Sequence, residues 1–120
     1  MADHNELGAL GEELATQFLL REGYTILERN WTFQKAELDI IAHKEEGTIV
    51  FVEVKTRNSA FFGDPQSFVT PAKIKFLVKA ANEYLIANEL QQEARFDIVA
   101  VLKNSKEERI EHFENAFYHF

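Results

Sequence analysis

The chain has 120 residues, of which 46% are hydrophobic and 28% charged, a balance typical of one folded domain rather than of a disordered or fibrous protein. It contains no cysteine, which excludes disulfides and thiolate metal sites. Because no signal-peptide pattern opens the chain and no stretch approaches the ~20 apolar residues that cross a bilayer, we expect a cytoplasmic protein with no membrane partner.

The first predicted element is a helix from about Asn5 to Glu22, followed by a strand over residues 24–31. Asn5 is a plausible N-cap, and Gly23 is a typical stop. Four apolar residues recur at helical spacing: Leu7, Leu10, Leu14 and Phe18.

A hairpin is predicted next, from strands 37–43 and 48–55 joined by the polar turn 44–47. Residues 57–69 are rich in Asn, Ser, Gly and Asp and are typical of a loop. Loops of this size often carry functional residues.

The second half of the chain predicts a helix from Thr70 and Pro71 to about Leu90 and two further strands, 96–102 and 110–116. Threonine as N-cap with proline at the first helical position is a common helix start. The order α, β, β, β, α, β, with a weaker last strand, predicts one α/β domain over residues 1–120.

Pairing the hairpin strands makes positions i and 92 − i neighbours, since the turn is centred near Glu46. Asp39 then opposes Glu53, and Glu37 opposes Lys55. Alternation along a strand would place these four side chains on one charged face, with the opposite face in the core.

Two carboxylates opposed across a sheet repel each other, and a divalent cation between them would remove that cost. Mg²⁺ or Mn²⁺ takes oxygen ligands of this kind, so Asp39 and Glu53 are the predicted metal ligands, with the backbone carbonyl of Val54 as a third. Lys55 lies on the same predicted face, where it would orient an attacking water or stabilise charge on a phosphate.

The segments Glu37-Leu38-Asp39 and Glu53-Val54-Lys55 resemble the E-x-D and E-x-K halves of the PD-(D/E)xK nuclease superfamily. The resemblance extends to the YraN family of uncharacterised, predicted endonucleases related to archaeal Holliday-junction resolvases. It is carried by Gly8-Ala9-Leu10-Gly11-Glu12 with Ala15, Gly23 to Asn30, Lys73, and Arg95-Phe96-Asp97, and it covers most of residues 8–101.

The resemblance implies a restriction-endonuclease-like three-layer fold with an α-β-β-β-α-β core and a mixed central sheet. It also implies a metal-dependent phosphodiesterase in which Asp39 and Glu53 bind the metal and Lys55 assists catalysis. Glu12 on the first helix would contribute from the side. The expected reaction is hydrolysis of DNA, in particular branched or damaged DNA in repair or recombination.

DNA is the expected partner even though the net charge of −7 argues against a general nucleic-acid binder, because residues 55–79 carry a net charge of +4. Lys73 is the preferred phosphate contact because it lies near a helix N-terminus, and Arg57 and Lys75 are further candidates. The sequence has no recognisable base-reading motif, so substrate structure would be recognised through shape and phosphates.

Structural alternatives remain open for each candidate. Asp39 and Glu53 could belong to a solvated strand face, Lys55 could pair with Glu37, and Glu12 could be an ordinary exposed helix residue. The helix lysines could simply be solvated. Asp97 is expected to form a structural pair with Arg95 or another base.

Two other functions also remain open: a non-catalytic nucleic-acid-binding or protein-interaction module that kept the nuclease fold, and a homodimer or other protein-binding role for the aromatic C-terminus. That cluster comprises Phe113, Phe117, Tyr118 and Phe120. The four histidines show no metal-ligand spacing, and neither a serine nucleophile elbow nor a phosphate-binding glycine loop is present.

Overall fold

The computed structural model describes residues 4–59 and 69–117. Most of the loop predicted over residues 57–69 therefore lies outside the described residues. The elements are α1 His4–Arg21, β1 Thr25–Phe33, β2 Ala36–His43, β3 Thr48–Arg57, α2 Pro71–Ala87, β4 Glu93–Lys103 and β5 Glu108–Phe113. This order confirms the predicted α-β-β-β-α-β core and the additional last strand.

The five strands form one mixed sheet in the order β1-β2-β3-β4-β5. The connection through α2 makes β3 and β4 parallel, and the other neighbouring pairs are antiparallel. The protein is thus an α/β fold of three layers, with the sheet between α1 and α2. In the part of the chain that the structure describes, no helix is long and apolar enough to cross a membrane.

Both faces of the sheet are buried, which corrects the prediction of one core face and one charged face. α1 covers one face and α2 the other, as in sheets whose strands are enclosed on both sides. The α1 side includes Ala15, Leu19, Ile40, Val50, Val52 and Val99, and the α2 side includes Leu38, Phe51, Leu77, Ala81, Tyr84 and Phe96. The Asp, Glu, Lys and Arg side chains within β2 and β3 lie at the end of these strands that is far from the hairpin turn: Glu37, Asp39, Glu53, Lys55 and Arg57.

The ends of α2 show how local chemistry sets the helix limits. The Thr70 hydroxyl accepts a hydrogen bond from the Lys73 backbone N–H at 3.2 Å, which confirms the predicted N-cap with Pro71 following it. The helix ends at Ala87, three residues before the predicted end. There the Asn88 backbone N–H donates to the Tyr84 carbonyl and closes the last turn.

α1 lies unusually close to β3. Gly11 is buried, and a Cβ at this position would overlap the Thr56 hydroxyl. Glycine allows such an approach of helix and strand because it has no side chain. The contact fixes the next residue of the helix, Glu12, near the ends of β2 and β3.

Candidate metal centre

The pairing of β2 with β3 confirms the predicted register over three pairs and then stops. Ile40 pairs with Val52, Ile41 with Phe51 and Ala42 with Val50, as the predicted turn requires. Beyond them, the Val54 backbone N–H donates to the Asp39 carboxylate at 2.9 Å. The predicted ladder pairs Asp39–Glu53 and Glu37–Lys55 are therefore wrong, because the side chain of Asp39 has taken the place of a backbone acceptor.

The alternation of β2 also reverses at Asp39. Ala36 and Leu38 pack on the α2 side, whereas Ile40 and Ala42 pack on the α1 side. Regular alternation would keep all four on one face. Asp39 consequently lies at the junction of the two faces, within reach of Glu12 from α1 and of Glu53 from β3.

Three carboxylates converge on the α1 side of this junction. One oxygen each from Glu12, Glu37 and Asp39 lie within 4.8 Å of one another. Burial raises the pKa of Glu12, and the charge of Glu37 adds to the rise. Glu37 was not predicted from the sequence to be a ligand, although the E-x-D spacing contains it.

Asn30 links two of these acids. With its amide nitrogen oriented toward the carboxylates, that nitrogen lies 2.9 Å from Glu12 Oε1 and 3.2 Å from Glu37 Oε1. The neighbouring pairs Arg29–Ile40 and Trp31–Leu38 place Asn30 across from Asp39. Its positive φ of 54° turns the edge strand at this point. No role for Asn30 was predicted from the sequence, because a single Asn within a strand pattern carries no signal of its own.

Glu53 completes the acidic group from the α2 side. Only 5% of its side chain is exposed, and Lys73 Nζ lies 2.9 Å from its Oε2. Apart from this ammonium group, the buried oxygen has no hydrogen-bond partner among the described residues. Burial alone would lower the pKa of Lys73, but Glu53 beside it raises that pKa above its ordinary value.

Asp39 and Glu53 remain neighbours although they are not a ladder pair. Burial raises the pKa of Asp39 well above its ordinary value, contact with Glu53 raises it further, and the Val54 N–H opposes the shift. Two adjacent carboxylates cannot both ionise cheaply in a buried position. A proton or a cation must balance them.

Lys55 is half-buried on the same side as Glu53 and Lys73. Burial lowers its pKa, and the charge of Lys73 lowers it further. No ion pair joins Lys55 to Glu37 in the described parts of the chain, and Glu37 instead lies opposite Thr32 of β1. The Lys55–Glu37 ion pair considered as an alternative is therefore wrong.

The Val54 carbonyl faces the space between β2 and β3, beyond their last backbone pair. In a β-strand the N–H and C=O of one residue point to the same edge. Since the Val54 N–H points to Asp39, its carbonyl also points toward β2. Asp39, Glu53 and the Val54 carbonyl thus form a set of hard oxygen donors of the kind that suits Mg²⁺ or Mn²⁺.

Two recesses open on either side of the acidic pair. Both are lined by Asp39, Glu53 and Lys73. The larger, of about 410 Å³, adds Lys35, Glu37 and Phe76, and the smaller, of about 270 Å³, adds Glu12, Val54, Lys55 and Arg57.

The structure therefore brings together all the residues proposed from sequence except Lys75. That lysine is exposed on α2 and lines neither recess. Lys35 and Phe76 were not identified from the sequence, because they look like ordinary surface positions in a turn and on a helix.

Asp97 is buried elsewhere and holds the end of the sheet together. Arg95 binds both of its oxygens, at 2.8 and 3.0 Å, which confirms the expected structural pair. His112 Nε2 lies 2.7 Å away, and the Asn115 backbone N–H donates at 2.9 Å. β5 ends at Phe113, two residues before Asn115 and three residues before the predicted end.

The aromatic C-terminus is partly core. Phe117 is buried against the α2 side, and Phe113 packs against the same cluster. Tyr118 and Phe120 lie outside the described residues.

Comparison with known proteins gives a family match over most of the chain. Residues 11–101 match uncharacterised protein family UPF0102. UPF0102 proteins from Flavobacterium psychrophilum, Flavobacterium johnsoniae and Christiangramia forsetii are 65%, 55% and 52% identical, with 100% of both chains covered in each case. Among solved structures, Pyrococcus furiosus SfsA in complex with Ca²⁺ is 17% identical with a TM-score of 0.37; the match covers 93% of this chain and 64% of SfsA.

Proposed function

This chain belongs to the uncharacterised protein family UPF0102, and from its acidic centre we propose that it is a metal-dependent endonuclease that hydrolyses phosphodiester bonds in DNA. One observation carries the proposal. At the point where β2 and β3 separate, Asp39 is held by the Val54 N–H beside the buried Glu53, whose Oε2 has no hydrogen-bond partner among the described residues apart from the Lys73 ammonium.

The donor set fits a hard divalent cation. Asp39, Glu53 and the Val54 carbonyl would hold Mg²⁺ or Mn²⁺, and Glu12 approaches from α1. When bound, such an ion polarises a phosphodiester and lowers the pKa of a coordinated water. Negative charge on the three neighbouring acids Glu12, Glu37 and Asp39, which is costly without a cation, supports this assignment.

The cationic side chains of the smaller recess have distinct places in the proposed reaction. Lys55 is half-buried beside the acids, where its amine can orient the attacking water or stabilise charge on the phosphate oxygens. Arg57 and Lys73 line the smaller recess together with Lys55 and would bind the sugar-phosphate backbone. Branched or damaged DNA is the proposed substrate class, with shape rather than base sequence as the basis of recognition.

A non-catalytic nucleic-acid-binding module is the second candidate, and one contact favours it. Lys73 already neutralises Glu53 at 2.9 Å, and an acid paired in this way needs no metal. Such a module would bind polynucleotides in a salt-sensitive manner, would keep this binding in the presence of a chelator, and would cut no substrate.

Cleavage of labelled linear, flapped and four-way-junction DNA in Mg²⁺ or Mn²⁺ separates the two candidates. We expect the wild type to cut at least one of them, and Asp39→Asn and Glu53→Gln to lose at least ~100-fold in rate because each removes a ligand charge. Glu46→Gln is the matched control, since this exposed acid lies in the hairpin turn at the other end of β2 and β3. Equal cutting by the two ligand variants and the control would refute the nuclease proposal.

A further inference from the structure

Phe76 is a large apolar side chain of α2 that remains exposed although the helix packs against the sheet. The buried residues of this helix are Leu77, Ala80, Ala81 and Tyr84, whereas 47% of Phe76 is exposed. It lies one helical turn after Lys73, and residues three apart are neighbours on a helix surface. The ring and the amine are thus presented side by side.

Both side chains line the larger recess beside the acidic pair. This recess has a volume of about 410 Å³, within the range that encloses small ligands. Lys35 from the turn between β1 and β2 adds a second amine. The recess therefore combines an aromatic face, two cations for a phosphate, and the carboxylates Asp39 and Glu53.

We infer that Phe76 stacks on an unpaired nucleobase next to the phosphate held at the acidic centre, so that the substrate is DNA with unpaired nucleotides at the cleavage point. The inference rests on the proposed function for the identity of the polymer. A base within an intact duplex is stacked on its neighbours on both sides, whereas an unpaired base offers a free π-face to an aromatic side chain.

The position of Phe76 separates it from an ordinary exposed apolar residue, of which most proteins have several. Ile86 is such a residue on the same helix: 69% of it is exposed, and it lines neither recess beside the acids. Ile86→Ala is therefore the matched control for Phe76→Ala.

The test is binding of fluorescein-labelled strands of about 12 nucleotides, followed by anisotropy at low salt with EDTA present to prevent cleavage. Three probes are compared: the single strand, its blunt duplex, and a strand of the same length made of abasic sugar-phosphate units. We expect the wild type to prefer the single strand to both other probes. Phe76→Ala should weaken binding of the single strand about 5- to 150-fold and leave the other two probes unchanged.

Phe76→Trp should retain single-strand binding, because stacking needs only a flat aromatic ring, and Ile86→Ala should bind like the wild type. The inference is overturned if Phe76→Ala and Ile86→Ala behave alike, if Phe76→Ala weakens binding to the abasic strand as much as to the normal one, or if the wild type shows no preference for the single strand.

The nuclease proposal fails separately, by the absence of cut products in Mg²⁺. Base-dependent binding through Phe76 would still support the stacking site in that case. Conversely, cleavage that is equally fast on duplex and unpaired DNA and insensitive to Phe76→Ala would overturn the stacking site and leave the nuclease intact.

Discussion

Replacing Lys73 by methionine tests how the acidic centre is balanced in the absence of metal. The ammonium group lies 2.9 Å from the buried Glu53 Oε2, and this is the ion pair that Glu53 makes among the described residues. Methionine keeps much of the volume and removes the charge. Glu53 is then left buried beside Asp39 without a counterion, so we expect the metal-free protein to lose stability.

The magnitude follows from the burial of the two partners. Stranding one member of a fully buried pair costs about 3–5 kcal/mol, but 44% of the Lys73 side chain is exposed and solvent screens its charge. We therefore expect a loss of about 1–3 kcal/mol in the free energy of unfolding. Added Mn²⁺ should restore more stability in Lys73→Met than in the wild type, because the cation no longer competes with an ammonium.

The assay is urea denaturation near neutral pH, with EDTA and then with excess Mn²⁺. Lys75→Met is the matched control, since this lysine is exposed on the same helix and lines neither recess. If Lys73→Met and Lys75→Met have equal unfolding free energies in EDTA and gain equally from Mn²⁺, the reasoning about charge balance is wrong.

Three further predictions concern stability. Gly11→Ala should cost about 1–3 kcal/mol in urea denaturation because the new methyl group meets Thr56, whereas Gly8→Ala, with open space around it, should gain up to about 1 kcal/mol. The pKa of Asp39 is raised, so the folded state holds the proton of this carboxyl more tightly than the unfolded state does. The free energy of unfolding of the metal-free protein should therefore fall as the pH rises from about 5 to 8. Asp39→Asn should reduce the dependence of that free energy on pH. Asp97→Ala should lower the free energy of unfolding by about 3–5 kcal/mol while calorimetric Mn²⁺ affinity stays unchanged, since its partners lie away from the acidic centre; a loss below about 1 kcal/mol would contradict this assignment.

Local patterns in the sequence were sufficient to predict most elements and the hairpin register. The N-cap Thr70 with Pro71 placed the start of α2, and the turn near Glu46 placed Ile40 opposite Val52. Spacing and turn chemistry act over a few residues, so they can be recognised in the sequence without knowledge of the fold. β4 begins three residues earlier than predicted because the Glu93 backbone N–H donates to the Gly47 carbonyl and extends the parallel pairing, which no local pattern records.

The detailed geometry of the centre was not predictable in the same way. Period-two alternation placed Glu37 and Glu53 on one face, but the bond between Asp39 and the Val54 N–H reverses the alternation. Such a bond joins residues fifteen apart through a side chain and leaves no periodic signal. The resemblance pointed to Glu12 on α1, and the close approach at Gly11 explains how that residue reaches the acids.

Titration calorimetry with Mn²⁺ on the wild type, Asp39→Asn and Glu46→Gln tests the metal centre most directly. We expect the wild type and Glu46→Gln to bind the ion with the same affinity and to release protons on binding, because the cation replaces the proton held by the acidic pair. Asp39→Asn should bind at least ~10-fold more weakly. Identical titrations for all three proteins, or no saturable binding by the wild type, would contradict the account.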